Sequence, residues 1–162
     1  MNGGRAVEKK ILVAMDESAN ALRAAQFVAQ SFTPDHQVVL FHVVMDTPAV
    51  CNMNSPELTP LFLQQQINLC SIEEKKKELV SKAMTEAKRL LTQAGFPQKN
   101  ITLKMEKLKR GVARDIIAEA KTGYHAVVMG RRGLSGVAEF FMGSVSQKVL
   151  HGTKDLSVIL VS

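Results

Sequence analysis

Ala126-Val127-Val128-Met129-Gly130-Arg131-Arg132-Gly133 runs from a short apolar segment straight into a glycine-rich turn, and after nine further residues Gly143-Ser144-Val145-Ser146 opens a helical pattern. An apolar run of this length bounded by glycine reads as a buried strand. A strand that empties into a glycine turn and then a helix opening on Gly-Ser presents backbone N–H groups to phosphate. Glycine suits such a turn because it tolerates positive φ and lets backbone approach a ligand with no Cβ in the way. The two arginines add fixed positive charge at the same place.

Outward from this stretch, short apolar runs alternate with helical patterns. Residues 11–15 form the first run, and Ser18 behind it is a candidate N-cap. Ala21, Leu22, Ala25, Ala29 and Phe32 then recur at helical spacing until Pro34. Residues 38–44 are continuously apolar and rich in β-branched side chains, as a strand covered on both faces requires. A loop is expected over residues 45–54, and Ser55-Pro56-Glu57 carries a helix-start signature. Ile72, Leu79, Val80, Ala83, Met84, Ala87, Leu90, Leu91 and Ala94 mark a long amphipathic helix ending at Gly95, with residues 58–70 unassigned. Ile101, Leu103 and Met105 alternate with polar residues as in a half-exposed edge strand, and a helix follows Gly111. The 126–129 strand, the glycine turn, a helix near 143–150 and a last strand over 158–161 complete the chain. The order β-α-β-α-β-α-β-α-β predicts one α/β domain: an open parallel sheet with right-handed crossovers and helices on both faces.

Composition agrees with a single domain. The chain has 162 residues, 46% hydrophobic and 22% charged, and lacks Trp, so its core must come from Val, Ile, Leu, Ala and Met. Residues 1–8 read as a flexible N-terminus and 9–162 as the domain. A net charge of +6 admits an anionic partner. Much of the excess, however, is interleaved with Glu73, Glu74, Glu78, Glu86 and Glu106, which reads as a solvated face. Cys51 and Cys70 suggest neither a metal pair nor a disulfide framework. With no signal-peptide pattern and no long apolar span, the expected location is cytoplasmic and no membrane partner is implied.

In open parallel sheets ligands bind beyond the carboxyl ends of the strands, where strand order reverses. Asp16, Val43 and Gly130 each end a predicted strand and so converge there. Gly130, Gly133 and Gly143 would let backbone approach a phosphate, while Ser144 and Ser146 offer hydroxyls and Ser144 and Val145 uncapped helix N–H groups. Phe140, Phe141 and Met142 read as packing groups. Asp16 has a competing role as a cap on the first helix.

The pattern Gly-x2-Gly-x9-Gly-Ser behind Val-Val-Met resembles the nucleotide-binding signature of the universal stress protein family, ATP-binding type. Lys10-Ile11-Leu12-Val13-Ala14-Met15-Asp16-Glu17-Ser18 is similar to that family's first strand and loop, and Leu40-Phe41-His42-Val43 to its second strand. The resemblance implies a doubly wound, Rossmann-like five-stranded sheet in the order 3-2-1-4-5. It implies Asp16 and Val43 near adenosine, and Met129, Gly130, Arg132, Gly133, Gly143, Ser144, Val145 and Ser146 around ribose and phosphates. It further implies ATP, AMP or ADP as ligand, a stress-response sensing or signalling role, and a homodimer through Ser157–Val161. Mg²⁺ or Mn²⁺ would accompany the phosphates, held by nucleotide and water because no carboxylate cluster accompanies the loop. Where the family often carries proline before the last strand and aspartate before the fourth, this chain has Ser157 and His125.

Three other readings compete. Gly130-Arg131-Arg132-Gly133 resembles the Gly-x-x-Gly clamp of nucleic-acid-binding KH domains, although there the loop joins two helices and here a strand precedes it. The chain could also be an interaction module that no longer uses nucleotide. Slow ATP hydrolysis or autophosphorylation is the third. A Walker-type Gly-Lys-Ser/Thr is absent and no histidine pairs with an evident nucleophile, so no catalytic residue is assigned.

Overall fold

A computed structural model describes residues 9–45, 48–53, 57, 59–133 and 142–162. Strands β1 (Lys10–Ala14), β2 (Gln37–Val44), β3 (Ile101–Lys107), β4 (Ala126–Gly130) and β5 (Ser157–Val161) form one sheet in the order β3-β2-β1-β4-β5. Every pairing is parallel. Helices α1 (Ala19–Ser31), α2 (Pro48–Cys51), α3 (Pro60–Gln93), α4 (Val112–Ala120) and α5 (Ser144–Gly152) connect them.

Alternation along the strands sorts the core into two layers. Ile11 and Val13 of β1 with Val38 and Leu40 of β2 face α1 and α3, meeting Ala24, Val28, Val80, Met84 and Leu91. Leu12, Val39, Phe41 and Val127 face the opposite way, onto Ala113, Ile116 and Ala120 of α4 and Val149 of α5. Each large aliphatic side chain fully withdrawn from water contributes about 1.5–3 kcal/mol, which is what holds the helices to the sheet. All strands point the same way, but successive strands are added on one side of β1 as far as β3 and on the other side from β4 onward, so α1 and α3 cover one face and α4 and α5 the other, as right-handed crossovers demand.

The helix signals act mostly as the sequence suggests. Ser18 caps α1, its hydroxyl accepting the Ala21 N–H at 3.1 Å. The long helix ends through Gly95 at φ +95°, a left-handed conformation that glycine adopts without strain, and the Phe96 N–H returns to the Leu91 carbonyl at 3.1 Å.

One segment left unassigned in the sequence is resolved, and two expectations change. The long helix begins at Pro60 with Thr59 as cap, so residues 60–70 belong to it; the same Thr/Ser-Pro signature recurs there, and Ser55 and Pro56 lie outside the described residues. The loop over 45–54 contains the short helix α2. Most consequentially, Cys51 and Cys70 are bonded, with Cα atoms 5.9 Å apart. Sequence spacing alone could not show this, because only the folding of α2 back onto α3 brings the two sulfurs together. A bridge across 19 residues stabilises the fold by about 3 kcal/mol through loop closure. The segment 1–8 and the packing of Phe140 and Phe141 lie outside the described residues.

Candidate functional site

Beyond the carboxyl ends of β1 and β4, at the point of reversal, lies a cavity of about 350 Å³. That is within the range of small-molecule sites (~300–1,000 Å³). Asp16, Val43, Met129, Gly130, Arg132, Gly133, Gly143, Ser144, Val145 and Ser146 all line it. Residues spread over most of the chain therefore share one wall.

The glycine turn is built by backbone hydrogen bonds. The Arg131 N–H donates to the Val161 carbonyl at 2.7 Å, which ties the turn to β5, and the Gly143 N–H donates to the Arg131 carbonyl at 2.9 Å. Asn20 Nδ2 reaches across from α1 to the Arg132 carbonyl at 2.9 Å. None of Gly130, Gly133 and Gly143 has positive φ; among the described residues the left-handed glycines are Gly95, Gly111 and Gly123. Backbone dihedral freedom therefore does not explain these glycines, and lack of space does so at Gly130. A Cβ on Gly130 would stand 2.7 Å from Asn20 Cβ and 2.9 Å from the Asn20 backbone carbon, whereas one on Gly133 would meet only Asp16 Oδ2, at 3.1 Å.

Asp16 serves two ends. Its Oδ1 accepts the Ser18 N–H at 2.9 Å, which braces the turn into α1 although the cap itself is Ser18, while Oδ2 lies toward Gly133 and the cavity. Ser146 is committed otherwise than expected: its hydroxyl donates to the Gly130 carbonyl at 2.9 Å and its side chain is buried, so it braces the turn. At the head of α5 the cap residue is Gly143, which has no side chain to satisfy the first N–H groups of the helix. Those donors, at the positive end of the helix, border the cavity beside Arg132. Among the described residues Arg132 Nε and Glu17 Oε2 are buried with no hydrogen-bond partner, and both residues line the cavity. Buried polar atoms without partners are rare in folded proteins, and here they point to a polar occupant.

Several lining residues were missed in the sequence. His42 is half-buried, its Nδ1 lying 2.8 Å from the Met15 carbonyl. Val112 and Ile116 of α4 supply apolar wall, with Met45 at the end of β2. Glu73 and Lys76 come from α3, where interleaved charge had read as solvated surface. That reading holds for the exposed pairs Glu78–Lys82 at 2.6 Å and Glu86–Arg89. It fails at 73 and 76 because they continue, one turn at a time, the inward stripe of Val80, Met84, Ala87 and Leu91. That helical phase was the signal available in the sequence.

The described residues include no group of three or more His, Cys, Asp or Glu able to hold a metal ion. No helix among them is long and apolar enough to cross a membrane.

Comparison with known proteins agrees with the fold. The family described as "Universal stress protein family" matches residues 8–161. A universal stress protein of Mycolicibacterium smegmatis is 26% identical over 147 residues, covering 90% of this chain and 46% of that protein; the chain thus spans about half the length of that curated relative. Among solved structures, the universal stress protein UspA from Lactobacillus plantarum superposes with a TM-score of 0.66 at 21% identity, covering 97% of this chain and 99% of that one. A universal stress protein in complex with cAMP gives a TM-score of 0.58 at 20% identity, with 96% and 98% covered.

Proposed function

The chain belongs to the universal stress protein family, and from that premise we propose that it binds an adenine nucleotide at the β1/β4 reversal and acts as a stress-response sensor or signalling module. The observation that carries the reading is the convergence of Gly130, Gly133, Arg132 and the uncapped head of α5 on one cavity with Asp16 and Val43. In this arrangement phosphate oxygens accept from Arg132 and the α5 N–H groups, Asp16 accepts from ribose hydroxyls, and the adenine lies against Val43. A related fold in complex with cAMP supports the ligand class. ATP, AMP and ADP are the candidates, with Mg²⁺ or Mn²⁺ carried by the phosphates and water.

The protein is proposed to be a cytoplasmic homodimer. β5 is an edge strand whose Val158, Ile159, Leu160 and Val161 are only half-buried, and a second copy pairing along Ser157–Val161 would cover it. No catalytic residue is assigned; binding without rapid turnover fits a turn lacking a Walker lysine.

Isothermal titration with ATP, AMP and a short RNA tests the reading, the RNA arm addressing the KH-like alternative. Saturable heat with ATP or AMP and none with RNA is expected. No nucleotide binding at millimolar concentration would refute the proposal. Gly133→Val fills the cavity while meeting little besides the Asp16 carboxylate, so it should abolish binding and keep the thermal midpoint.

A further inference from the structure

We propose that the Cys51–Cys70 disulfide is a redox latch on this cavity: oxidised it holds α3 against the pocket, and a dithiol reductant releases it. For its ligand the proposal rests on the nucleotide reading above; for its motion it rests on α3 itself. The inward stripe of that helix changes character at Val80. Toward the C-terminus Val80, Met84, Ala87 and Leu91 are fully buried, whereas before Val80 the only buried residue is Gln66. Leu61, Ile67 and Ile72 point outward at 67%, 67% and 62% exposure, so the N-terminal half of α3 gains almost nothing from hydrophobic burial. Two ties hold it. One is the disulfide; the other is Gln66 Nε2, which donates to the Val50 carbonyl and, at 3.1 Å, to the Met53 carbonyl. Both run to the α2 segment. Glu73 and Lys76, which line the cavity, lie one and two turns beyond Cys70, and Met45 precedes α2 on the other side. The bond is therefore placed where its state decides whether one wall of the pocket stands.

The chain has two cysteines and both are in this bond, each half-buried and so within reach of a reductant. In a compartment held reducing by thiol couples, a disulfide is made and broken in use rather than kept permanently. One thiolate of the dithiol attacks one sulfur and expels the other as a thiolate. The second thiol of the reductant then resolves the mixed disulfide. Two electrons pass to Cys51 and Cys70, each takes up a proton, and the reductant leaves as its own disulfide. Without the bond, the described ties to the α2 segment reduce to those of Gln66, the turns before Val80 fray, and Glu73 and Lys76 leave the wall.

The test compares the full chain oxidised with the same chain treated with dithiothreitol, thiols counted by alkylation and intact mass. Hydrogen exchange should rise over residues 60–79 and in the cavity floor at 14–18 on reduction, with 80–93 unchanged. ATP should bind about tenfold more weakly, as expected when the Lys76 ammonium of that wall no longer faces an anionic ligand in the cavity. A Cys51→Ser/Cys70→Ser variant should behave as the reduced protein and ignore dithiothreitol. A bond that resists dithiothreitol, or exchange over 60–79 unchanged by reduction, would overturn the latch. Raised exchange with unaltered ATP affinity would overturn its control of the pocket. Absence of ATP binding in both states would refute the nucleotide reading instead, while exchange at 14–18 still decides whether the latch opens the cavity.

Discussion

Replacing Gly130 by alanine should destabilise the domain far more than one methyl group ordinarily does. The new Cβ would lie 2.7 Å from Asn20 Cβ and 2.9 Å from the Asn20 backbone carbon. Carbon atoms rest at about 3.5–4.0 Å, so β4 and the first turn of α1 must part by about 0.8 Å. Asn20 cannot swing aside, because one of the clashing atoms is backbone and its Nδ2 already bonds the Arg132 carbonyl at 2.9 Å. Overpacking of this kind costs about 1–3 kcal/mol. Loss of the Asn20 bond adds about 1 kcal/mol. A total of about 2–4 kcal/mol lowers the thermal midpoint by roughly 4–16 °C in a domain of this size. Urea unfolding followed by circular dichroism, alongside a thermal scan, measures it. Gly133→Ala is the control, since its Cβ meets only a movable carboxylate oxygen and should cost under about 1 kcal/mol. Gly130→Ala within about 0.5 kcal/mol of the parent chain would refute the claim that glycine is present there because α1 leaves no room.

Three further outcomes follow from the packing and charges. Burial, and then the hydrogen bond its hydroxyl donates to Glu119 at 2.6 Å, raise the Tyr124 pKa; Lys104 is raised chiefly by its hydrogen bond to Glu119 at 2.7 Å. Groups raised on folding stabilise the fold below their unfolded values and lose that contribution as pH climbs. Stability should therefore fall above about pH 10, and Tyr124→Phe should flatten the drop in a pH series of urea midpoints. Leu91→Ala, at a fully buried position between α3 and the sheet, should cost about 2–5 kcal/mol by urea unfolding without altering the Cys51–Cys70 bond. Val158→Glu on β5 should convert the proposed dimer to a folded monomer in light scattering; a parent chain that is monomeric, or a variant still dimeric, would refute pairing along β5.

What the sequence determined alone was local in origin. Apolar runs at 11–15, 38–44 and 126–129, separated by helical periodicity, can bury their side chains only as parallel strands covered on both faces, and the observed sheet has that form. The ends of those strands marked Asp16, Val43 and the glycine turn, because the geometry of an open parallel sheet brings its carboxyl ends together wherever the order reverses. Tertiary structure decided what depends on residues distant in the chain. It set the reason for Gly130, which is the approach of Asn20 rather than backbone dihedral freedom, and it turned Ser146 inward onto the Gly130 carbonyl. It turned Glu73 and Lys76 from apparent surface into pocket wall. It also joined Cys51 to Cys70, since a 5.9 Å separation across 19 residues arises only when α2 folds back on α3. Periodicity records which face of an element is buried, but which neighbour covers that face is a property of the packed chain.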